Sequence, residues 1–394
     1  MPVMISSRLL TYTSLQSVLQ YMEANLRFDL SQRLPLIRTA EKTAPLQIVD
    51  FYSDGEKILK INNISYNLEL MREYTKSNKA AKTTTVFSWF DVDIYGNRDW
   101  NCQSMETSGD VPILNHRFIA SVENYRRGKK RNKILSSDEF SIKLTVLAPR
   151  KLQTERIAYS RKLYEAFKYF ITKFLGRGHS VVRVKNFYIS IPDGVLRWPL
   201  GLKPVVQNLR LWEVKDMEHV QKILCDTSFP LNQLETNDFP EELPESMKKV
   251  IEETDRLVLN CSHNNEVLRH RIRNNRFKAY GSELNALDYM TIVHDWRAEK
   301  RNIGSCWEFE EWEDTKVQQF FEKLKCQVGV VPVGEKTFHI PTDVNATIEV
   351  VYIEKQRKLS FKVVSNETLQ LQMNTLSTVI FYSFLLYLRF HFFL

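Results

Sequence analysis

Glycine is scarce in this chain of 394 residues, with 12 in all. A chain of average usage, about 7% glycine, would hold more than twice as many, so phosphate-cradling loops have little raw material. Cysteine is thin as well. Cys102, Cys225, Cys261, Cys306 and Cys326 are odd in number, scattered and without a C-x-x-C pair. That spacing argues against a disulfide framework and a structural zinc site, and it fits a reducing compartment, the cytoplasm or the nucleus. The opening MPVMISSRLLTYTS has no apolar core of secretory length, because Thr11, Thr13 and Ser14 interrupt it, so no signal peptide is expected.

What is present is a globular composition, 43% hydrophobic and 26% charged, with a formal net charge of +8. The length allows two or three domains, each able to bury its own core. One run, RRGKKRNK from Arg126 to Lys133, nearly accounts for the charge excess. Apart from Tyr125 it lacks interleaved aromatics, so a solvated loop is favoured over a nucleic-acid contact. The segment 376–394, LSTVIFYSFLLYLRFHFFL, is nearly long enough to cross a bilayer but carries Arg389 and His391. A tail anchor and a packed terminal element are both open readings of it.

The chemistry-bearing motifs are weak. GVVPVGEK, Gly329 to Lys336, has glycines at phosphate-loop spacing but Glu335 where a lysine must stand, and that carboxylate would repel a phosphate. His263, Glu266 and His270 have helix-face spacing but no supporting ligand set, and surface histidines are commoner than metal ligands. No G-x-S-x-G occurs. No catalytic residue, cofactor site or metal site is assigned, and a binding protein is expected instead of an enzyme.

The periodicity predicts a mixed fold of the α+β or α/β class. An N-terminal helical segment spans 8–46: Leu15, Val18, Leu19, Met22 and Leu26 have helical spacing behind Ser14, and a second helix from Asp29 carries Leu30, Leu34 and Ile37, interrupted at Pro35. A β-rich region, 47–150, follows, with strands at Gln47–Phe51, Lys57–Ile61, Val86–Tyr95 and Phe140–Ala148 and loops at Lys76–Thr85 and Arg126–Lys133. Region 151–326 opens on a long helix from Thr154 through Ile157, Leu163, Tyr164, Phe167, Phe170, Ile171 and Phe174. Beyond it, short apolar runs starting at 187, 209, 234, 257 and 277 stand 20–25 residues apart, the period of a degenerate leucine-rich-repeat-like solenoid. A C-terminal β-hairpin, Thr347–Tyr352 and Leu359–Val364, lies within 327–366.

The most unusual local composition is CWEFEEWED, Cys306 to Asp314. Trp307, Phe309 and Trp312 are candidate anchors in a partner interface, where aromatics concentrate binding energy; the alternative packs them inward.

Three stretches carry a family resemblance: LTYTSLQSVLQYMEANLRFDLSQRLPLIRTAEKTAPLQI with KINNISYNLELMREY, DVDIYGN from Asp91 to Asn97, and VVRVKNFYISIPDGVLRWPLGLKPVVQNLRLWEV. Together they resemble the large nematode group of F-box and F-box-associated proteins, whose central region is a domain of unknown function. The resemblance implies a substrate adaptor that docks on the Skp-type linker of a cullin–RING ubiquitin ligase and captures a target protein, acting by proximity alone. It implies that Leu15, Val18, Leu19, Met22, Leu26, Leu34 and Ile37 divide between helix packing and a helix-in-groove contact with that linker. Tyr12-Thr13 stands where an F-box opens on Leu-Pro, so a cap on the following domain is the alternative role of residues 10–45. A stand-alone protein-binding module, tethered to a membrane by residues 376–394, is the alternative function.

Overall fold

The computed structural model describes residues 11–75, 83–88, 90–93, 98–99, 106–113, 140–176, 178, 181–190, 194–237, 243–260, 272–281, 284–311, 313–342 and 345–371. The chain forms two compact units, residues 1–234 and 235–394.

Unit 1 opens with three short helices, α1 (Tyr12–Tyr21), α2 (Ala24–Arg33) and α3 (Arg38–Thr43). Thr11 caps α1 and Glu23 caps α2 by accepting from backbone N–H groups, so the first helix ends at Tyr21, short of the expected Leu26. Pro35 sits in a single tight turn, Pro35–Ile37, where its missing N–H costs nothing. Leu19, Ala40 and Ala44 form the helices' small core, with Leu15, Met22 and Ile37 against it. So few apolar contacts need help. Arg27 supplies it: its buried guanidinium donates to the carbonyls of Leu19 (3.3 Å), Pro45 (2.6 Å), Ala44 (2.7 Å) and Glu41, and pairs with the buried Glu41 carboxylate at 3.3 Å. One side chain thus gathers carbonyls from the ends of α1 and α3 and the residues after α3, that of Leu19 accepting from the Met22 N–H as well.

The helices lie on a sheet of β1 (Leu46–Ser53), β2 (Ile58–Ile61), β3 (Ile64–Thr75), β4 (Thr83–Ser88), β6 (Phe140–Ala148), β7 (Lys151–Ala158), β8 (Val182–Ile189) and β10 (Val205–Leu211); β5 (Val111–Ile113) pairs separately with β9 (Gly194–Leu196). The order is β10-β8-β1-β2-β3-β6-β7, with β4 also on β3. β1, β8 and β10 run parallel and the rest of this run is antiparallel. Helix α4 (Leu163–Leu175) packs its apolar side inward, and α5 (Met217–Gln221) follows β10. Phe28 of α2 stacks on Phe174 of α4 at 4.5 Å, and Tyr66 of β3 lies 5.0 Å from Phe170. The N-terminal helices are therefore built into unit 1.

The expected long helix from Thr154 is corrected. Residues 151–158 form β7, in antiparallel register with β6, because K-L-Q-T-E-R-I-A offers apolar groups only at Leu152, Ile157 and Ala158, too few for a helical stripe. The helix starts where Leu163, Tyr164, Phe167, Ile171 and Phe174 establish one. Asp91 fixes that start: its buried carboxylate accepts from the N–H of Leu163 (2.6 Å) and Tyr164 (3.1 Å) and from the Tyr159 hydroxyl (2.8 Å). An anion there faces the positive end of the helix. Of the two expected loops, Thr83–Thr85 belongs to β4, while 76–82 and 126–133 lie outside the described residues; the expected strand Val86–Tyr95 is corrected, since β4 ends at Ser88 and residues 90–93 carry only the isolated Val92–Arg98 bridge, with 89 and 94–97 outside the described residues.

β11 (Gln233–Thr236) spans the division between the units. In unit 2, β12 (Arg256–Leu259), β13 (Arg276–Tyr280) and β14 (Cys306–Glu310) run parallel. The order continues β14-β18-β17-β16-β15, antiparallel, through β15 (Val331–Gly334), β16 (Thr337–Pro341), β17 (Ala346–Ile353) and β18 (Lys358–Ser365). β17 and β18 are the expected hairpin, and GVVPVGEK is β15 with its turn. Helices α6 (Glu245–Glu253), α7 (Ala286–Glu299) and α8 (Asp314–Lys325) complete the unit. α7 is set by a capping box in which Asn285 and Asp288 bond each other's backbone N–H.

Removing Arg27 takes a donor from four carbonyls and from the buried Glu41 carboxylate. Arg27→Met is expected to cost about 3–5 kcal/mol, read as a lowered urea midpoint of the whole chain.

Candidate protein-recognition surfaces

The sequence-predicted partner residues separate cleanly by burial. Leu19 is in the helical core, Leu15, Met22 and Ile37 are half-buried against it, and Val18, Leu26 and Leu34 are about half exposed. Two residues not singled out from sequence join the exposed set: Tyr21, and Leu36, which is 95% exposed. Leu36 follows Pro35 in the turn after α2, and an apolar side chain placed there by a proline-fixed backbone was visible as Leu-Pro-Leu in the sequence.

Trp307 and Phe309 do not face a partner in this fold. They are 2% and 0% exposed; the ring of Phe309 packs on Phe277, Tyr289 and Phe361 at 5.5–5.8 Å, and Trp307 meets Trp296 edge to face at 5.4 Å. The reason is alternation: Trp-Glu-Phe-Glu at successive positions of β14 puts both rings on the inner face and Glu308 and Glu310 on the outer. Glu311 turns inward to accept from the Tyr289 hydroxyl at 2.9 Å. Trp312 lies outside the described residues.

A second surface emerges only from the strand register. Along β1, β8 and β10 the inner positions Phe51, Phe187 and Leu209 are buried, and the outer positions form rows. Tyr52 pairs with Lys60 and with Tyr188, and Tyr188 with Arg210, which gives the row Lys60–Tyr52–Tyr188–Arg210. The tyrosine rings meet edge to face at 4.9 Å, Lys60 Nζ lies 5.1 Å over Tyr52 and the Arg210 guanidinium 4.5 Å over Tyr188. The neighbouring row is a hydrogen-bonded ladder: Asn208 donates to Asn186 and Asn186 to Asp50, each at 2.7 Å. Burial, with Asp54 and Tyr188 nearby, raises the Tyr52 pKa, so its hydroxyl keeps its proton. Trp212, two residues beyond Arg210, is 44% exposed. The signal for this surface is a repeat, Asp50-Phe-Tyr52, Asn186-Phe-Tyr188 and Asn208-Leu-Arg210.

The inner face is held by Asp110. Its carboxylate accepts from Lys168 Nζ (2.8 Å), Arg197 (2.9 Å), the Trp198 N–H (3.2 Å), and the Thr107 hydroxyl (2.8 Å) and N–H (3.0 Å). Burial alone would raise its pKa, but these donors outweigh it and hold the carboxyl below its ordinary range. Trp198, fixed in this way, stands edge-on to the stacked rings of Phe51 and Phe187 at 5.8–5.9 Å. Gly109 makes room for the turn: at φ +94° a Cβ there would sit 2.7–2.8 Å from the backbone of Leu200 and Trp198.

Among the described residues, no cluster of His, Cys, Asp and Glu is placed to hold a metal ion; His263, Glu266 and His270 lie outside them. No described helix is long and apolar enough to cross a membrane, and residues 376–394 also lie outside the described set. A family model described as Domain of unknown function (DUF3557) matches residues 162–311. No curated protein and no solved structure matches the chain. The match starts at the N-cap of α4 and ends at Glu311, and it takes in β8 and β10 of the tyrosine–arginine surface.

Two expected outcomes test these placements. Asp110→Asn should lower stability by about 2–4 kcal/mol at neutral pH. A carboxyl whose folded pKa is depressed stabilises above its unfolded pKa of about 4 and loses that contribution as pH falls through the lower, folded value, so the variant and parent urea midpoints should converge in acid. Trp307→Ala should cost about 3–5 kcal/mol by opening a cavity, read as a lowered urea midpoint.

Proposed function

We propose that the chain is a protein-interaction adaptor without catalysis of its own, the substrate-recognition subunit of a Skp–cullin–F-box type ubiquitin ligase. In this reading the N-terminal helices dock on the Skp-type linker and the outer strand face of unit 1 captures a target. The observation that carries it is the outward apolar set, Val18, Tyr21, Leu26, Leu34 and Leu36, on helices whose own packing is already satisfied by Arg27 and by Leu19, Ala40 and Ala44. Apolar side chains exposed on a structurally complete helical unit suit a groove contact. The finer family placement and the leucine-rich-repeat-like reading belong to the same proposal; the latter is supported by parallel neighbours β8 and β10 in unit 1 and β12, β13 and β14 in unit 2. Target capture by a Tyr-, Trp- and Arg-bearing face agrees with the composition of binding hot spots. Cytoplasm or nucleus is the compartment this role requires.

A second reading, a stand-alone binding module, rests on the bonds that seat the helices as a cap. Asn25 donates to the Ile61 carbonyl (2.9 Å) and accepts from the Tyr66 hydroxyl (2.8 Å). A pull-down of the full chain with the Skp-type linker decides. The adaptor binds, and Val18→Asp with Leu36→Asp weakens binding at least about tenfold; a folded chain that fails to bind leaves the stand-alone module.

A further inference from the structure

The outer face of β1, β2, β8 and β10 has a definite charge. Lys60, Arg183 and Lys185 are exposed and Arg210 is half-buried on it. Its two carboxylates are engaged locally: Asp50 accepts from Asn186, and Asp54 accepts from the N–H groups of Glu56, Lys57 and Ile58 at 2.8–3.1 Å. The face therefore presents cations beside tyrosines, with Lys60 and Arg210 over the rings of Tyr52 and Tyr188. We propose that the Lys60–Tyr52–Tyr188–Arg210 row, with Arg183 and Lys185 nearer the start of β8 on the same face, is the docking surface for an acidic peptide segment of a partner protein; this rests on the reading of unit 1 as a target-capture surface.

Spacing supports an extended peptide laid across the strands. Adjacent strands are about 4.8 Å apart, so the row spans about 14 Å from β2 to β10, and alternate side chains of an extended peptide stand about 6.8 Å apart. Two such steps bring carboxylates over Lys60, the tyrosine pair and Arg210 in turn. The cations then make charge-assisted bonds and the tyrosine hydroxyls donate to the same carboxylates. A nucleic acid fits less well. Base stacking needs open ring faces, and here Lys60 and Arg210 lie over the faces of Tyr52 and Tyr188 while the two rings are locked edge to face.

The experiment titrates the full chain against a fluorescein-labelled peptide of alternating glutamate and glycine, read by anisotropy. A lysine–glycine counterpart and a labelled oligothymidylate serve as comparisons. The glutamate peptide should bind with an affinity that falls as salt rises, and the lysine peptide should not. Lys60→Glu/Arg183→Glu/Lys185→Glu, all at exposed positions, should weaken binding at least about tenfold with an unchanged urea midpoint; Arg210→Gln should weaken it less. The proposal is overturned if the glutamate peptide fails to bind, if the triple variant binds it as the parent does, or if oligothymidylate binds more tightly. Linker binding is measured separately, so its failure removes the ligase reading and leaves the acidic-peptide surface standing; loss of peptide binding alone does the reverse.

Discussion

The Asp110 carboxylate gathers groups from two distant parts of unit 1 and from its own turn. Lys168 comes from α4, Arg197 and Trp198 from the segment after β9, and Thr107 from the turn just before β5. A buried charge is tolerable only when its hydrogen-bonding capacity is filled, and here five donors fill it. What this interaction positions is Trp198, which closes over Phe51 and Phe187 and so fixes the inner face of β1 and β8. The outer face inherits its geometry from that contact. Tyr52 and Tyr188 are each one residue beyond the packed phenylalanines, and the pleat leaves them nowhere else to point.

The N-terminal helices work on the same principle with a different ion. Too small to build an apolar core, they converge on the Arg27 guanidinium, whose planar set of donors meets carbonyls from two helix ends and a carboxylate. Because the polar centre holds the helices together, the apolar residues outside it are left to face outward.

The sequence was informative where structure is local. Phe140–Ala148 alternates in polarity as far as Val146 and is β6 without adjustment, and Pro35 marks the break between two helices. Residues 154–158 read as helix because Ile157 happens to fall in helical phase with Tyr164 and Ile171, although its neighbours pair with β6. Trp307 and Phe309 invited an interface reading from composition, yet their spacing of two, flanked by glutamates, already described a strand with one buried face. The tyrosine–arginine surface was hidden for another reason. Its bonds join residues as far apart as Asp50 and Asn186, 136 positions along the chain, and only the parallel pairing of β1 with β8 makes them neighbours.

β7 gives the sheet of unit 1 its limit. All eight of its residues are exposed, and Lys151, Glu155 and Arg156 stand among Leu152 and Ile157. Any strand added alongside would have to surrender the hydration of those charges, so the outer edge is a poor template for copies of itself. At this edge of unit 1 the solvent cost of one charged strand does the work that a covering helix does elsewhere.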